Sequence, residues 1–208
     1  MATQHGLHVG GRFHLHARSP RAAQAATGTS TAAATAIGLR EAAIAALRIG
    51  TGFAFLWAFL DKTFGLHYST PSAKAWIHGG SPTKGFLAGV NVGPWQSMYH
   101  AWAGKQWADW LFMLALLGIG LALVLGIALR FAAIAGVVLV ALMWFAVFPP
   151  AQHASDGSLT RSVNPFVDEH VMDALALIAI AAFGTGSRLG LGALWAKLPM
   201  VRENKVLL

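Results

Sequence analysis

Cysteine is absent from all 208 residues. Disulfides, thiolate metal centres, covalent attachment of c-type haem and a dithiol relay are therefore excluded. Charge is scarce too. Charged residues make up 11% of the chain, against about 25% in a soluble domain. Acidic residues are the scarcer sign, eight against fifteen Lys and Arg. The first forty residues have no compact apolar run of the kind a cleaved leader carries, so no signal peptide is expected.

What the chain has in abundance is apolar length. Four stretches dominate: Ala42 to Leu60, Trp107 to Leu129, Phe131 to Phe148, and Val171 to Phe183 with a polar lead-in from Phe166. About 20 apolar residues cross a hydrocarbon core about 30 Å thick. Helix is the expected form, because it satisfies its own backbone polar groups in lipid. The expected fold is an all-α membrane protein, a four-transmembrane-helix bundle. Its domains read as a disordered tail over 1–40, the helical membrane domain over 41–190 and a basic interfacial tail over 191–208.

The formal charge of +7 does not point to nucleic acid, because its distribution follows the spans. Nine basic residues fall on one side: Arg12, Arg18, Arg21, Arg40, Arg130, Arg188, Lys197, Arg202 and Lys205. Four fall on the other: Lys74, Lys84, Lys105 and Arg161. The positive-inside rule then places both termini in the cytoplasm. Anionic lipid is the natural partner of the basic excess. The expected location is a bacterial-type cytoplasmic membrane, crossed several times.

Between the first two spans lies a long segment, Thr63 to Gln106, rich in Gly and Pro. Two short helices fit within it, near Ser72–His78 and Pro94–Ala103. Seven of the eight tryptophans fall at this outer level: Trp57, Trp76, Trp95, Trp102, Trp107, Trp110 and Trp144. Tryptophan prefers the membrane interface. The segment reads either as a Trp-rich extracytoplasmic cap over a site or as a plain interfacial anchor. Gly118, Gly120, Gly126 and Gly136 allow close helix contact in the hairpin around Arg130. The N-terminal cluster of His5, His8, His14 and His16 reads as mobile surface histidines in preference to a metal site.

Charges inside or at the ends of spans are costly and each needs a reason. Arg48 lies in the inner half of the first span, and its guanidinium cannot neutralise itself. No carboxylate of another span lies near its depth. It is therefore expected to face the bundle interior and meet carbonyls, water or a ligand headgroup. At the outer level stand Asp61, Lys62, Asp109, Asp168, Glu169, His170 and Asp173. Asp173 is placed one turn below Glu169 and His170, on the same face. These residues read either as a polar pocket that hydrogen-bonds a quinone or as wetted helix ends. In the first case His170, Asp173 and Asp61 would exchange protons, since histidine titrates near neutrality. Arg48, Lys62 and Trp57 would hold the ring; a lipid-facing belt role for Trp57 is the alternative. No histidine lies mid-span, so neither haem nor a metal is expected.

Several runs together resemble the DoxX/DoxD membrane proteins over residues 44–198. They are Leu47-Arg48-Ile49-Gly50 with Phe55-Leu56-Trp57-Ala58-Phe59-Leu60-Asp61-Lys62; Ala75-Trp76-Ile77-His78-Gly79-Gly80-Ser81-Pro82-Thr83; Trp107-Ala108-Asp109-Trp110-Leu111-Phe112; and Asn164-Pro165-Phe166-Val167-Asp168-Glu169-His170. The resemblance implies a four-helix membrane bundle with a quinone-linked redox role. DoxD-like subunits belong to a thiosulfate:quinone oxidoreductase with a second subunit. Other DoxX-like members are associated with oxidative-stress enzymes. The expectation is thus a redox-associated membrane subunit with quinone as cofactor and a second protein as partner. The alternative is a non-catalytic scaffold that recruits a redox or detoxifying enzyme.

Overall fold

A computed structural model describes residues 20–184 and 189–204, with side chains from Gly38 onward. The chain divides into two units, Met1–Arg40 and Glu41–Leu208. The N-terminal histidines, Arg188 and Lys205 lie outside the described residues. Helix α1 runs from Pro20 to Phe64. The part of the expected tail from Pro20 onward is thus helical, and its alanine content supplies the reason, alanine being the best helix former.

Every regular element among the described residues is helical. Three helices are long and apolar enough to cross a membrane: Gly38–Phe64 within α1, α4 over Gln106–Leu125 and α5 over Leu129–Val147. The segment before α4 holds two 3-10 turns, Ser72–Lys74 and Trp76–His78, then α2 over Lys84–Ala88 and α3 over Gln96–Trp102. The turns and α3 fall where short helices are expected, and α2 is additional. A fourth long helix, α6, spans Glu169–Phe183. Its fifteen residues reach about 22 Å, less than the hydrocarbon thickness. Short helices α7, Gly192–Trp195, and α8, Pro199–Arg202, follow.

The buried positions explain how these helices meet. On α4 they are Asp109, Met113, Leu116, Gly120 and Leu123, a spacing of four and three that keeps one face inward. On α5 they are Ala132, Ala133, Gly136 and Val140. On α1 they are Ala45, Arg48, Gly52 and Phe55. Of these, Phe55, Met113, Leu116, Leu123, Ala132, Ala133 and Val140 build one apolar core with Leu177 and Ile180 of α6. The opposite faces are apolar as well: Phe53, Leu114, Ile134 and Ile178 are all exposed. Apolar surface on this scale, continuous over several helices, belongs against lipid and not against water.

The α4–α5 turn is tighter than a link centred on Arg130. Gly126 adopts a left-handed conformation, φ 75°, and closes α4. Its N–H bonds Ala122 O at 2.9 Å, and that of Ile127 bonds the same carbonyl at 3.0 Å. This is a Schellman-type stop, for which glycine carries no Cβ penalty. Arg130 therefore sits in the first turn of α5.

Candidate functional site

Asp61 sits in the last turn of α1, where the helix dipole disfavours a carboxylate. Three bonds from the following loop offset this. Tyr68 N–H donates to Oδ1 at 3.1 Å, and Ser69 N–H and its hydroxyl donate to Oδ2 at 3.0 and 2.7 Å. The carboxylate is buried and folds the loop back onto the helix end. Asp109 does the same work on α4. It accepts from Ser81 Oγ at 2.9 Å, Thr83 N at 3.0 Å and Thr83 Oγ1 at 2.6 Å. Ser81-Pro82-Thr83 is thereby fastened to the start of α4.

Asp168 caps α6. Its Oδ1 accepts from Val171 N at 3.1 Å, and its Oδ2 meets His170 Nδ1 at 2.8 Å. A short polar side chain that captures a first-turn N–H is what a helix start requires. Just upstream, Asn164 Oδ1 accepts from the N–H groups of Phe166 and Val167, and Trp144 Nε1 donates to Phe166 O at 3.0 Å. The Asn164–His170 run is thus a built turn leading into a capped helix. His170 is buried, and half-buried Asp173 lies about one turn below it.

Arg48 is 1% exposed. Its Nη2 donates to the carbonyl of Leu189, in the segment after α6. Nε and Nη1 have no hydrogen-bond partner among the described residues. Nearby, Leu191 N donates to Leu125 O at 2.8 Å, so the C-terminal segment is tied to α1 and to the foot of α4. Arg48 thus faces inward and meets a carbonyl. Asp61, thirteen residues on, is about 20 Å away along α1. Trp57 stacks with Phe53 at 5.7 Å and meets Tyr68 edge-on at 5.1 Å, both of them exposed residues.

The predicted site residues are therefore not gathered at one point. Lys62 alone among them borders a cavity of about 430 Å³ between α4, α5 and the connection that precedes α4. Its walls include Phe86, Trp102, Trp107, Phe112 and Leu139. Leu111, Val138 and Leu142 also line it and are exposed, so it opens sideways where hydrocarbon would lie. Two other polar groups on its wall are committed. Tyr99 donates its hydroxyl to Leu142 O at 2.7 Å, and burial raises that hydroxyl above its usual range. Thr83 is bound to Asp109. Half-buried Lys62 has no hydrogen bond or ion pair among the described residues, because the carboxylate next to it is taken by the loop.

A second, larger cleft of about 900 Å³ has a mixed polar and apolar lining. Asp168, Glu169 and Arg161 line it, with the loop around Ser158. In that loop the Ser158 hydroxyl and N–H hold the Asp156 carboxyl below its usual range. His170 and Asp173 line neither cavity. Tyr99, Trp102 and Phe112 are the wall residues that sequence reading leaves out of the site. Helical spacing marks them only as apolar, and nothing local tells a cavity wall from ordinary core. Comparison with protein-family models, with curated proteins and with solved structures finds no match.

Proposed function

We propose that this chain is a redox-associated membrane subunit of the kind its motifs resemble, DoxX/DoxD. In this reading α1, α4, α5 and α6 form a four-span bundle with both termini cytoplasmic. The Trp-rich segment before α4 is its extracytoplasmic cap, folded by Asp61 and Asp109. The bundle holds a quinone-class lipid in the cavity beside Lys62. The observation that carries this is the cavity itself: aromatic and aliphatic walls, a mouth toward lipid and one lysine with no hydrogen bond among the described residues.

A quinone fits that description. Its ring and isoprenoid tail suit apolar walls, and Lys62 can donate to one carbonyl. A bound quinone supplies two-electron, two-proton chemistry. The chain's own part is to bind and orient the ring and to keep water from it. Electrons come from a partner protein, with thiosulfate as the donor that the resemblance suggests. His170 and Asp173 would then serve proton exchange near the outer surface, at a distance from the ring.

One observation favours the second reading, a non-catalytic scaffold. Asp61, Asp109 and Asp168 all accept backbone N–H groups and shape loops. Polar residues committed to folding the outer segment make a docking platform without chemistry. Purification in mild detergent, followed by lipid extraction, separates the readings. The wild type should retain quinone. Lys62→Met should weaken its binding about tenfold or more, as loss of a charge-assisted hydrogen bond does. A wild type that never retains quinone, yet co-purifies with an oxidoreductase whose activity survives Lys62→Met, would establish scaffolding.

A further inference from the structure

The cavity beside Lys62 has chemistry beyond holding a ring. A lysine on an apolar wall, with no carboxylate hydrogen-bonded to it, is an arrangement in which an amine acts as a nucleophile toward carbonyl carbon. Lys62 meets that description. The charge of Asp61 next to it attracts the amine, but loop N–H groups and a hydroxyl occupy the carboxylate oxygens and no ion pair forms among the described residues. Two neighbouring polar groups on the wall are committed as well, Tyr99 to Leu142 O and Thr83 to Asp109. No general base therefore stands by, and the remaining wall donors are the indole N–H groups of Trp102 and Trp107. Acyl transfer lacks its base here. Imine formation can pass its protons through water.

The geometry points to Lys62 as a covalent capture site for apolar aldehydes that enter the cavity sideways from the bilayer. The ammonium first releases a proton to water; the Nζ lone pair then forms the N–C bond as the carbonyl π pair moves to oxygen, which takes a proton. The C–O bond then breaks, and the oxygen leaves as water with both amine hydrogens. A C=N bond remains. No oxidant or reductant enters, and hydrolysis reverses the step. The aliphatic chain of the aldehyde occupies the apolar volume that the quinone reading also uses. The inference thus rests on the same cavity but not on quinone being its resident.

The test uses the full chain in mild detergent after solvent extraction of bound lipid. Decanal is added with sodium cyanoborohydride, which reduces any imine to a stable amine. Peptide mass spectrometry then follows the adduct on each lysine. Lys62 should be modified at least about tenfold faster than Lys74, Lys84, Lys105 and Lys197, as expected for an amine in an apolar pocket beside solvated ones. Ala115→Phe and Ala135→Phe each place a ring in the cavity. Either should abolish the preference while leaving the other lysines and the size-exclusion profile unchanged. Equal rates at all lysines overturn the inference, and so does a preference that survives filling the cavity. No adduct from decanal, with acetic anhydride labelling of Lys62 slowed by decanoate, overturns the inference and assigns an ion-pair site for anionic amphiphiles instead. The two readings of the cavity fail separately. Retained quinone without an adduct removes this inference alone, and an adduct without retained quinone removes only the quinone.

Discussion

Single residues divide by whether their reason is visible in sequence. Arg48 is legible: a guanidinium that cannot neutralise either reaches back about two turns toward Glu41 or turns inward, and it turns inward and meets Leu189 O. Which carbonyl it meets is not legible, because that depends on a chain return 141 residues away. Asp61 stands out in the sequence for the same reason, a charge at a span end. Yet its partners are the N–H groups of the next loop, and no spacing rule announces them. Tyr99 goes unnoticed altogether, although it is among the most buried residues of the outer segment. It also gives a pH-dependent prediction. The neutral phenol donates to Leu142 O, and burial raises its ionisation in the folded chain above the usual 10.0. The stability it contributes is complete below that value and is lost as pH rises through the folded one. Thermal midpoints in detergent should therefore fall at alkaline pH, and Tyr99→Phe should lessen the fall. At neutral pH the same change should cost about 1 kcal/mol, the net worth of one hydrogen bond.

Elements were more legible than residues, because periodicity and length report them directly. The three long spans are where apolar runs predict them, within a few residues at each end. Glycines show where that legibility stops. Four look alike in sequence as small residues for helix contact, and they have three different roles. A Cβ at Gly120 would lie 2.7 Å from Leu56 N, and one at Gly136 would lie 2.7 Å from Leu177 Cδ1. Gly126 serves instead as the left-handed stop of α4. Gly118 has nothing within 4 Å of a built Cβ. Gly120→Ala should therefore push α1 from α4 and destabilise the protein by about 1–3 kcal/mol, the usual cost of overpacking. Gly118→Ala should be neutral or stabilising, since alanine is the better helix former by up to about 1 kcal/mol. Unfolding in detergent with a graded denaturant compares the pair. Equal destabilisation of both would mean that α1 and α4 do not meet at Gly120.

At the scale of the whole molecule, the missing cysteines become an experimental advantage. The proposed orientation rests on charge asymmetry, nine basic residues on one side against four on the other. It also rests on α6 completing the fourth crossing despite its fifteen residues. Crossing by so short a helix requires a thinned bilayer or a contribution from its flanks, each at a modest cost per ångström. The orientation decides which aqueous phase His170, Asp173 and the larger cleft can reach, and so on which side any protons would be exchanged. Because the native chain has no thiol, a single introduced cysteine reports its own position without background. Ser158→Cys, in the polar loop between α5 and α6, should react with a membrane-impermeant maleimide in cells with an intact inner membrane. Ala196→Cys, just after α7, should react only once that membrane is opened. Ser158 and Ala196 lie on either side of α6, so the pair tests that crossing directly. Labelling of both from outside would mean that α6 does not cross and that the bundle has three spans. Labelling of Ala196→Cys alone would invert the protein, turn the Trp-rich segment toward the cytoplasm and move the His170 cluster to the opposite aqueous phase. The expected pattern, Ser158→Cys outside and Ala196→Cys inside, leaves the cluster facing the extracytoplasmic side and the basic C-terminal segment against the anionic cytoplasmic leaflet.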